Sequence, residues 1–382
     1  MTIRRHPRGV FRAAPTPVAE DLAPRHRPGR GGIGAAVRTD TARPAAEGRS
    51  QHGRIVMRRR GLMAAAAAGG LGLLAAPAVR AQDAWPKGKQ IRVICPWPPG
   101  AANDTLARLL AQRLQEKLGT IAVVENRTGG AGLVGTNAVL QAAPDGYTLL
   151  ASAFNTAVMP LVLKGAKFDP EKDLEVMART ARAPLVMVIS GQRPEKTVQE
   201  VVAAAKAKPR DWSIAISSLG AASHLATIEF NRRTGLDLDM VAYRGTQPAL
   251  TDLMAGSAQL LIDPSFALLP ATGDGKVRAL AIAAPQRSPL APALPTMAEA
   301  GLPGFEFQSW YGVWAPKGTP AEICQRVNAL TQETMRDPAI VQRLSGQLLE
   351  PVTESIEETR RFIAAEIARA SELLRSVNYQ PE

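Results

Sequence analysis

The chain has 382 residues, room for two ordinary domains, and a 46% hydrophobic content that excludes a wholly disordered polypeptide. Its net charge of +12 suggests a nucleic-acid partner, but residues 1–81 hold fifteen arginines against four acids (Glu20, Asp21, Asp40 and Glu47), so the remainder is close to neutral. The excess charge therefore does not belong to the folded body, and a single aromatic ring, Phe11, stands among the leader arginines where a single-strand binder would need several.

Residues 1–56 are rich in Arg, Pro, Gly and Ala without apolar periodicity, which predicts a disordered leader. At Met57 the character changes. Arg58, Arg59 and Arg60 form a basic start, residues 61–79 carry no charge, and Val79 and Ala81 suit the −3 and −1 positions of signal cleavage. Residues 57–81 are therefore read as a secretory signal, exported by the general or the twin-arginine route, with the start codon at Met1 or Met57. A retained membrane anchor is the other reading of this stretch, weakened by its Ala and Gly content. Cys95 and Cys324 lie in apolar surroundings and are expected to be buried free thiols, although export makes a bridge chemically possible.

Beyond the signal, strands and helices alternate. IRVICP (91–96) is a strand, followed by the loop WPPGAAND and an amphipathic helix with Leu106, Leu109, Leu110, Leu114 and Leu118 on one face, stopped by Gly119. Strands are expected at 121–126, 148–153 and 184–190, with helices at about 133–142 and 197–207. A second series opens with WSIAIS (212–217) and runs through a helix at 223–233, a strand at 239–243, a helix near 247–255, and strands at 258–264 and 277–285. The strand WYGVWAP (310–316) precedes long helices near 320–336 and 355–376.

Repeated strand–helix units predict an α/β protein with mainly parallel sheets covered on both faces. The two series predict two lobes, 82–190 with 309–382, and 191–308, joined by two hinge crossings. Loops beyond the carboxyl ends of the strands would then face one another across a cleft.

The run GGAGLVG (129–135) contains a literal G-x-G-x-x-G. A dinucleotide fingerprint needs the glycines directly after the first strand and an acid about 20 residues on. Here they follow the second strand, and Phe154, Asn155 and Thr156 stand where the acid belongs. The glycines are read as a tight loop, with Gly135 allowing close helix packing.

Catalytic sets are poor. His224 is the single histidine after the signal, adjacent to Ser223, and no G-x-S-x-G elbow is present. One His with two distant Cys makes no metal site, so neither metal nor cofactor is expected. Two loops entering helices, 98–104 and 217–223, instead suit an anion, since unpaired amides and the helix dipole favour a carboxylate there. Ordinary caps at Asn103 or Asp104 and at Ser223 are the competing interpretation.

The segments PWPPGAANDTLAR (96–108), VENRTGGAGLVGTNAV (124–139), APDGYTLL (143–150), SHLATIEF (223–230), YRGTQPALTDLMAG (243–256), LPTMAEAGLPGF (294–305) and WYGVWAPKGTP (310–320) together resemble the substrate-binding proteins of tripartite tricarboxylate transporters, the periplasmic "Bug" receptors. The resemblance implies a two-lobed, type II periplasmic binding protein fold holding a small carboxylic acid between lobes. It further implies a non-enzymatic, monomeric receptor in the periplasm, partnered by the membrane components of a transporter or by a sensor. By position it carries over Pro99, Gly100, Ala101 and Asp104; Ser152, Phe154, Asn155 and Thr156; Ser218, Gly220, Ala221 and His224; and Tyr243, Gly245 and Asp263. Asp104 also reads as a loop-ordering or capping residue, His224 as a helix-start residue bonded to backbone, Tyr243 as hinge-side packing, and Asp263 as a cap or loop holder. Ala101 replaces a usual glycine and Ala221 a usual Ser or Thr, which favours a ligand with a less polar end, such as an aromatic acid. The alternative function is a periplasmic serine hydrolase using Ser218 or Ser223 with His224.

Overall fold

The computed structural model describes residues 85–382. The expected leader, the signal at 57–81 and the first three residues of the expected first lobe lie outside the described residues. Chain order is β1 (Ile91–Cys95), α1 (Ala102–Leu118), β2 (Ala122–Asn126), α2 (Leu133–Leu140), β3 (Thr148–Ala153), α3 (Phe154–Val162), β4 (Leu174–Ser190), α4 (Val198–Ala207), β5 (Ser213–Ile216), α5 (Ala222–Thr234), β6 (Asp239–Ala242), α6 (Thr246–Ala255) and β7 (Leu260–Pro264). There follow α7 (Ser265–Leu268), β8 (Val277–Ile282), β9 (Gln308–Pro316), α8 (Ala321–Arg336), α9 (Pro338–Ser345), β10 (Glu350–Pro351) and α10 (Ile356–Ser376).

The strands join in the order β2-β1-β3-β9-β4-β7-β5-β6, with β8 and β10 also pairing to β4. The β–α repeats produce the parallel ladders β1–β2, β1–β3, β5–β6 and β5–β7. Parallel neighbours need a crossover helix, and α1, α2 and α5 supply it from their apolar faces. The strands that connect the two series run against their neighbours: β9 is antiparallel to β3, and β4 to β9, β7 and β8. This α/β arrangement, parallel repeats flanked by helices, is the expected fold class.

β4 belongs to both halves. Its segment 174–184 pairs with β9, and Leu185–Ile189 pairs with β7. The chain returns beside the same point, where Phe307 N–H donates to Ala283 O at 3.0 Å, Leu185 N–H donates to Phe307 O at 3.0 Å, and Gln308 pairs with Pro184. Strands at the boundary are packed by an aromatic cluster in which Phe154 and Phe362 each meet Trp310 edge-on, at 6.0 and 5.6 Å.

Several elements depart from expectation. β4 begins ten residues before 184, and α3, α9 and β10 had no counterpart in the sequence reading. The helix caps expected at Asn103 or Asp104 and at Ser223 are corrected. Both helices begin earlier, on Ala101 and Ala221, and neither has a side-chain cap. Cys95 and Cys324 are buried free thiols, and burial pushes Cys95 up to about 11.

The glycine run closes a tight turn. Gly129, Gly130 and Gly132 have φ of 127°, 54° and 99°, and Asn155 Nδ2 donates to Ala131 O at 2.8 Å. A Cβ on Gly135 would stand 2.8 Å from Pro96 Cβ and 2.9 Å from Arg127 O. Gly135→Ala is therefore expected to destabilise the fold by about 1–3 kcal/mol, as overpacking does. A lower urea midpoint at unchanged slope is the readout, and an unshifted midpoint would show that the contact relaxes freely.

Candidate ligand-binding site

A cavity of about 730 Å³ opens where the two halves of the sheet meet. One wall comes from the loop at 97–103 and the β3–α3 junction at 153–155. The other comes from Ser217, Ala221 and Ala222, the β6–α6 turn at 244–248, and residues 263–267 with Pro270. Ser309 and Tyr311 of β9 form part of the lining. They alternate with Trp310, whose ring turns into the aromatic cluster, as the period of two in a strand requires.

Four helices direct their first turns at this cavity: α1, α3, α5 and α6. Their N-caps are Ala101, Ala153, Ala221 and Gly245, and none makes a side-chain cap bond. Ala101 and Ala221 have nearly the same backbone, φ −71°, ψ 162° and φ −70°, ψ 162°. Helix first turns carry unpaired N–H groups, and each helix brings roughly half a positive charge to its N-terminus. By contrast α4, α9 and α10 carry Thr197, Asp337 and Ser355 as side-chain caps. Lack of a cap is not distinctive by itself, since α2 and α8 start on Gly132 and Pro320 without one. Four such ends on one cavity make a site with the electrostatics of an anion pocket.

Among the lining residues, Arg244 is the basic side chain and Asp263 the acidic one. Asp263 is buried, 1% exposed. Ser217 Oγ donates to its Oδ1 at 2.9 Å and Thr246 Oγ1 to its Oδ2 at 2.5 Å. Burial drives its pKa up to about 7, against the opposing pull of the Thr246, Ser217 and Ser223 hydroxyls. The rest of the surface is largely apolar, with Trp97, Phe154, Phe266 and several prolines. Phe266 and Tyr311 meet edge-on at 6.4 Å.

Of the residues carried over by position, Pro99, Gly100, Ala101, Phe154, Asn155, Ala221, Gly245 and Asp263 line the cavity. Asn155 is 2% exposed, and its Oδ1 is a buried acceptor without a partner among the described residues. The other seven stand behind the wall. Asp104 accepts from Gly100 N–H at 3.0 Å, Arg108 Nε at 2.9 Å and Asn126 Nδ2 at 2.9 Å. Burial alone would raise its pKa, but these bonds hold it below the usual carboxylate range. Thr156 Oγ1 donates to Ser152 Oγ at 2.7 Å, and Ser218 Oγ donates to Leu219 O at 3.3 Å. Tyr243 Oη donates to Asp252 Oδ2 at 2.7 Å.

His224 is wholly buried, and its Nδ1 accepts from Gly220 N–H at 3.2 Å. Its ring meets Tyr379 edge-on at 5.4 Å, and its Nε2 has no partner among the described residues. Burial pushes its pKa down to about 4. Ser223 Oγ, meanwhile, accepts from Ser217 N–H at 3.2 Å.

Lining residues that the sequence reading did not single out include Trp97, Arg244, Thr246, Gln247, Phe266 and Tyr311. Arg244–Gln247 occupy the turn between a strand and a helix, the same signal that identified the loops at 98–104 and 217–223. Tyr311 was legible only as part of a crossing strand.

Known proteins share this fold. Residues 106–379 match the model of the tripartite tricarboxylate transporter family receptor. Protein BugT of Bordetella pertussis is 37% identical over 295 residues, covering 77% of this chain and 90% of BugT. Among solved structures, the R. palustris protein Rpa4515 with adipate is 33% identical with a TM-score of 0.74, covering 78% of this chain and 100% of that one. MatC of Rhodopseudomonas palustris with bound malate is 29% identical with a TM-score of 0.69, covering 75% and 98%.

Proposed function

The chain belongs to the tripartite tricarboxylate transporter receptor family, and from that premise we propose that its cavity binds a small organic acid through the amides of four helix N-termini. The receptors of this family are periplasmic solute-binding proteins, and two structural relatives hold adipate and malate. The observation that carries the reading is the convergence of α1, α3, α5 and α6, uncapped by side chains, on one apolar-walled space. Such a site attracts negative charge without placing several full cations against the ligand.

In this reading the protein is made with a signal at 57–81, cut after Ala81, and acts as a monomer in the periplasm. The lobes, 82–190 with 309–382 and 191–308, close about the paired crossings at Pro184–Leu185 and Phe307–Gln308. The closed form is what the membrane components of the transporter recognise. Asp104 and His224 serve by holding the Gly100 and Gly220 loops, and Asn155 Oδ1 accepts a hydrogen bond from a ligand hydroxyl or a trapped water. A hydrolase has little support, because His224 uses Nδ1 on a backbone amide and its Nε2 meets no serine.

The test is a thermal-melt screen of the chain from Gln82 against mono-, di- and tricarboxylates, aromatic acids and amino acids, run on refolded protein free of carried-over ligand. A carboxylate at 100 times its Kd should add about 2.7 kcal/mol of stability. Stabilisation by cations or neutral solutes and by no carboxylate would refute the proposal.

A further inference from the structure

We infer that Arg244 selects ligands with two carboxylates, pairing with the second while helix N-termini hold the first. This rests on the carboxylate-receptor reading and goes further by naming a ligand class and the residue that discriminates it.

Arg244 is exposed on the cavity wall and makes no side-chain hydrogen bond or ion pair among the described residues. Four other arginines of this lobe pair with carboxylates, Arg193 with Glu195, Arg232 and Arg233 with Glu229, and Arg287 with Glu299, and Arg278 bonds the carbonyls of Arg193 and Glu195; Arg210, which shares Arg244's lack of a partner among the described residues, does not line the cavity. The acid on the same cavity, Asp263, accepts from Ser217 and Thr246 and makes no pair with Arg244. Arg244 is thus the one cation on the lining, and its charge is uncompensated.

Its base is nonetheless fixed. Tyr243 N–H donates to Ile216 O at 3.0 Å and Gly245 N–H to Ser217 O at 2.8 Å, so the backbone is tied on both sides. The Tyr243 hydroxyl is anchored on Asp252. A guanidinium presents a planar fork of donors that matches a carboxylate bidentately. Helix N-termini instead offer single amides and partial charges. The cavity therefore holds two chemically different anion subsites. The same lining carries apolar surfaces, including Phe154, Phe266, Tyr311 and Pro264, that suit a methylene chain or a ring. A monoacid occupies the amide subsite and leaves Arg244 in water, where it was before, so discrimination comes from what a diacid gains.

The experiment is titration calorimetry of wild type, Arg244→Gln and Arg244→Lys with the straight-chain diacids from succinate to adipate and the monoacid matching each in length. For the diacids that bind wild type, Arg244→Gln should weaken affinity by at least about tenfold, the weight of a charge-assisted bidentate pair. Monoacid affinity should stay within about twofold, and Arg244→Lys should recover part of the diacid loss. An equal loss for both series, or no loss for either, overturns the role of Arg244 while leaving the receptor reading intact. Wild type that binds only monoacids does the same. Wild type that binds no carboxylate in either series or in the melt screen removes both. Thermal melts of the variants report folding separately.

Discussion

Ala101→Asp should yield a protein that is at least as stable without ligand and has lost its affinity for carboxylates. Ala101 is the N-cap of the 17-residue α1, already in the extended conformation that a capping side chain uses, and it makes no cap bond. An aspartate there can accept the N–H groups of Asn103 or Asp104, and replacing a non-capping by a capping residue contributes about 1 kcal/mol. Repulsion from Asp104 subtracts little, because that carboxylate is already matched by Arg108, Asn126 and the Gly100 amide. The same carboxylate would sit where the ligand's is proposed to sit. Occupied amides and an added negative charge should together lower affinity by about a hundredfold or more, on the scale of leaving a charged partner unpaired. Ala101→Ser supplies a neutral cap and should show similar stabilisation with a smaller binding loss. Melting and calorimetry on the three proteins decide it. Full affinity in Ala101→Asp would remove α1 from the site.

The second large effect concerns Asp263. Burial raises its pKa to about 7 in the folded protein, against about 3.9 in an unfolded chain. The folded state therefore binds more protons than the unfolded state between about pH 4 and pH 7. Stability contributed by this group is full at the acid end of that window and falls as pH rises through 7. The loss is on the order of 4 kcal/mol across the window. Mono- and dicarboxylates stay essentially ionised down to about pH 6, so their affinity should rise as the solution is acidified from pH 8 to pH 6 and Asp263 loses its charge. Other groups near it do not titrate in that interval: the Ser217, Ser223 and Thr246 hydroxyls, and Tyr311, whose phenol burial raises further. Asp263→Asn should flatten both profiles and stabilise the protein at pH 8, since an amide can still accept from Ser217 and turn its NH₂ toward the Thr246 oxygen. Ligand affinity that weakens on acidification, or a profile unchanged in Asp263→Asn, would contradict this account.

Much of the fold was legible because parallel β–α units write two periodicities into the sequence. IRVIC, TLLASA and SIAI are short apolar runs bounded by turns, and α1 repeats leucine on one face, ending at Gly119. What escaped was set by tertiary partners. The first half of β4 contains Arg179 and Arg182, which argue against a central strand. Their charges are met from far along the chain by Glu354 and Glu350, and the Arg179 guanidinium lies 3.6 Å from the centre of the Phe362 ring. The helix α3 escaped because FNTAVMPLV is short, mostly apolar and contains Pro160, which argues against a helix. In the site, loops entering helices pointed to the amide-rich ends. Which side chains face inward depended on helix starts, and these lie one to three residues from where capping residues would place them. Asp104 and His224 looked like ligand contacts because they stand beside the loops they hold.

The two thiols bear on where the fold can form. Cys95 and Cys324 are both buried and unpaired, and with Cys95 at about 11 only about one molecule in ten thousand is thiolate at neutral pH. Formation of the core thus requires no oxidant and is indifferent to glutathione. The described fold can be completed in a reducing cytosol as readily as in an oxidising compartment, so its chemistry permits translocation either as a threaded chain or as a finished body.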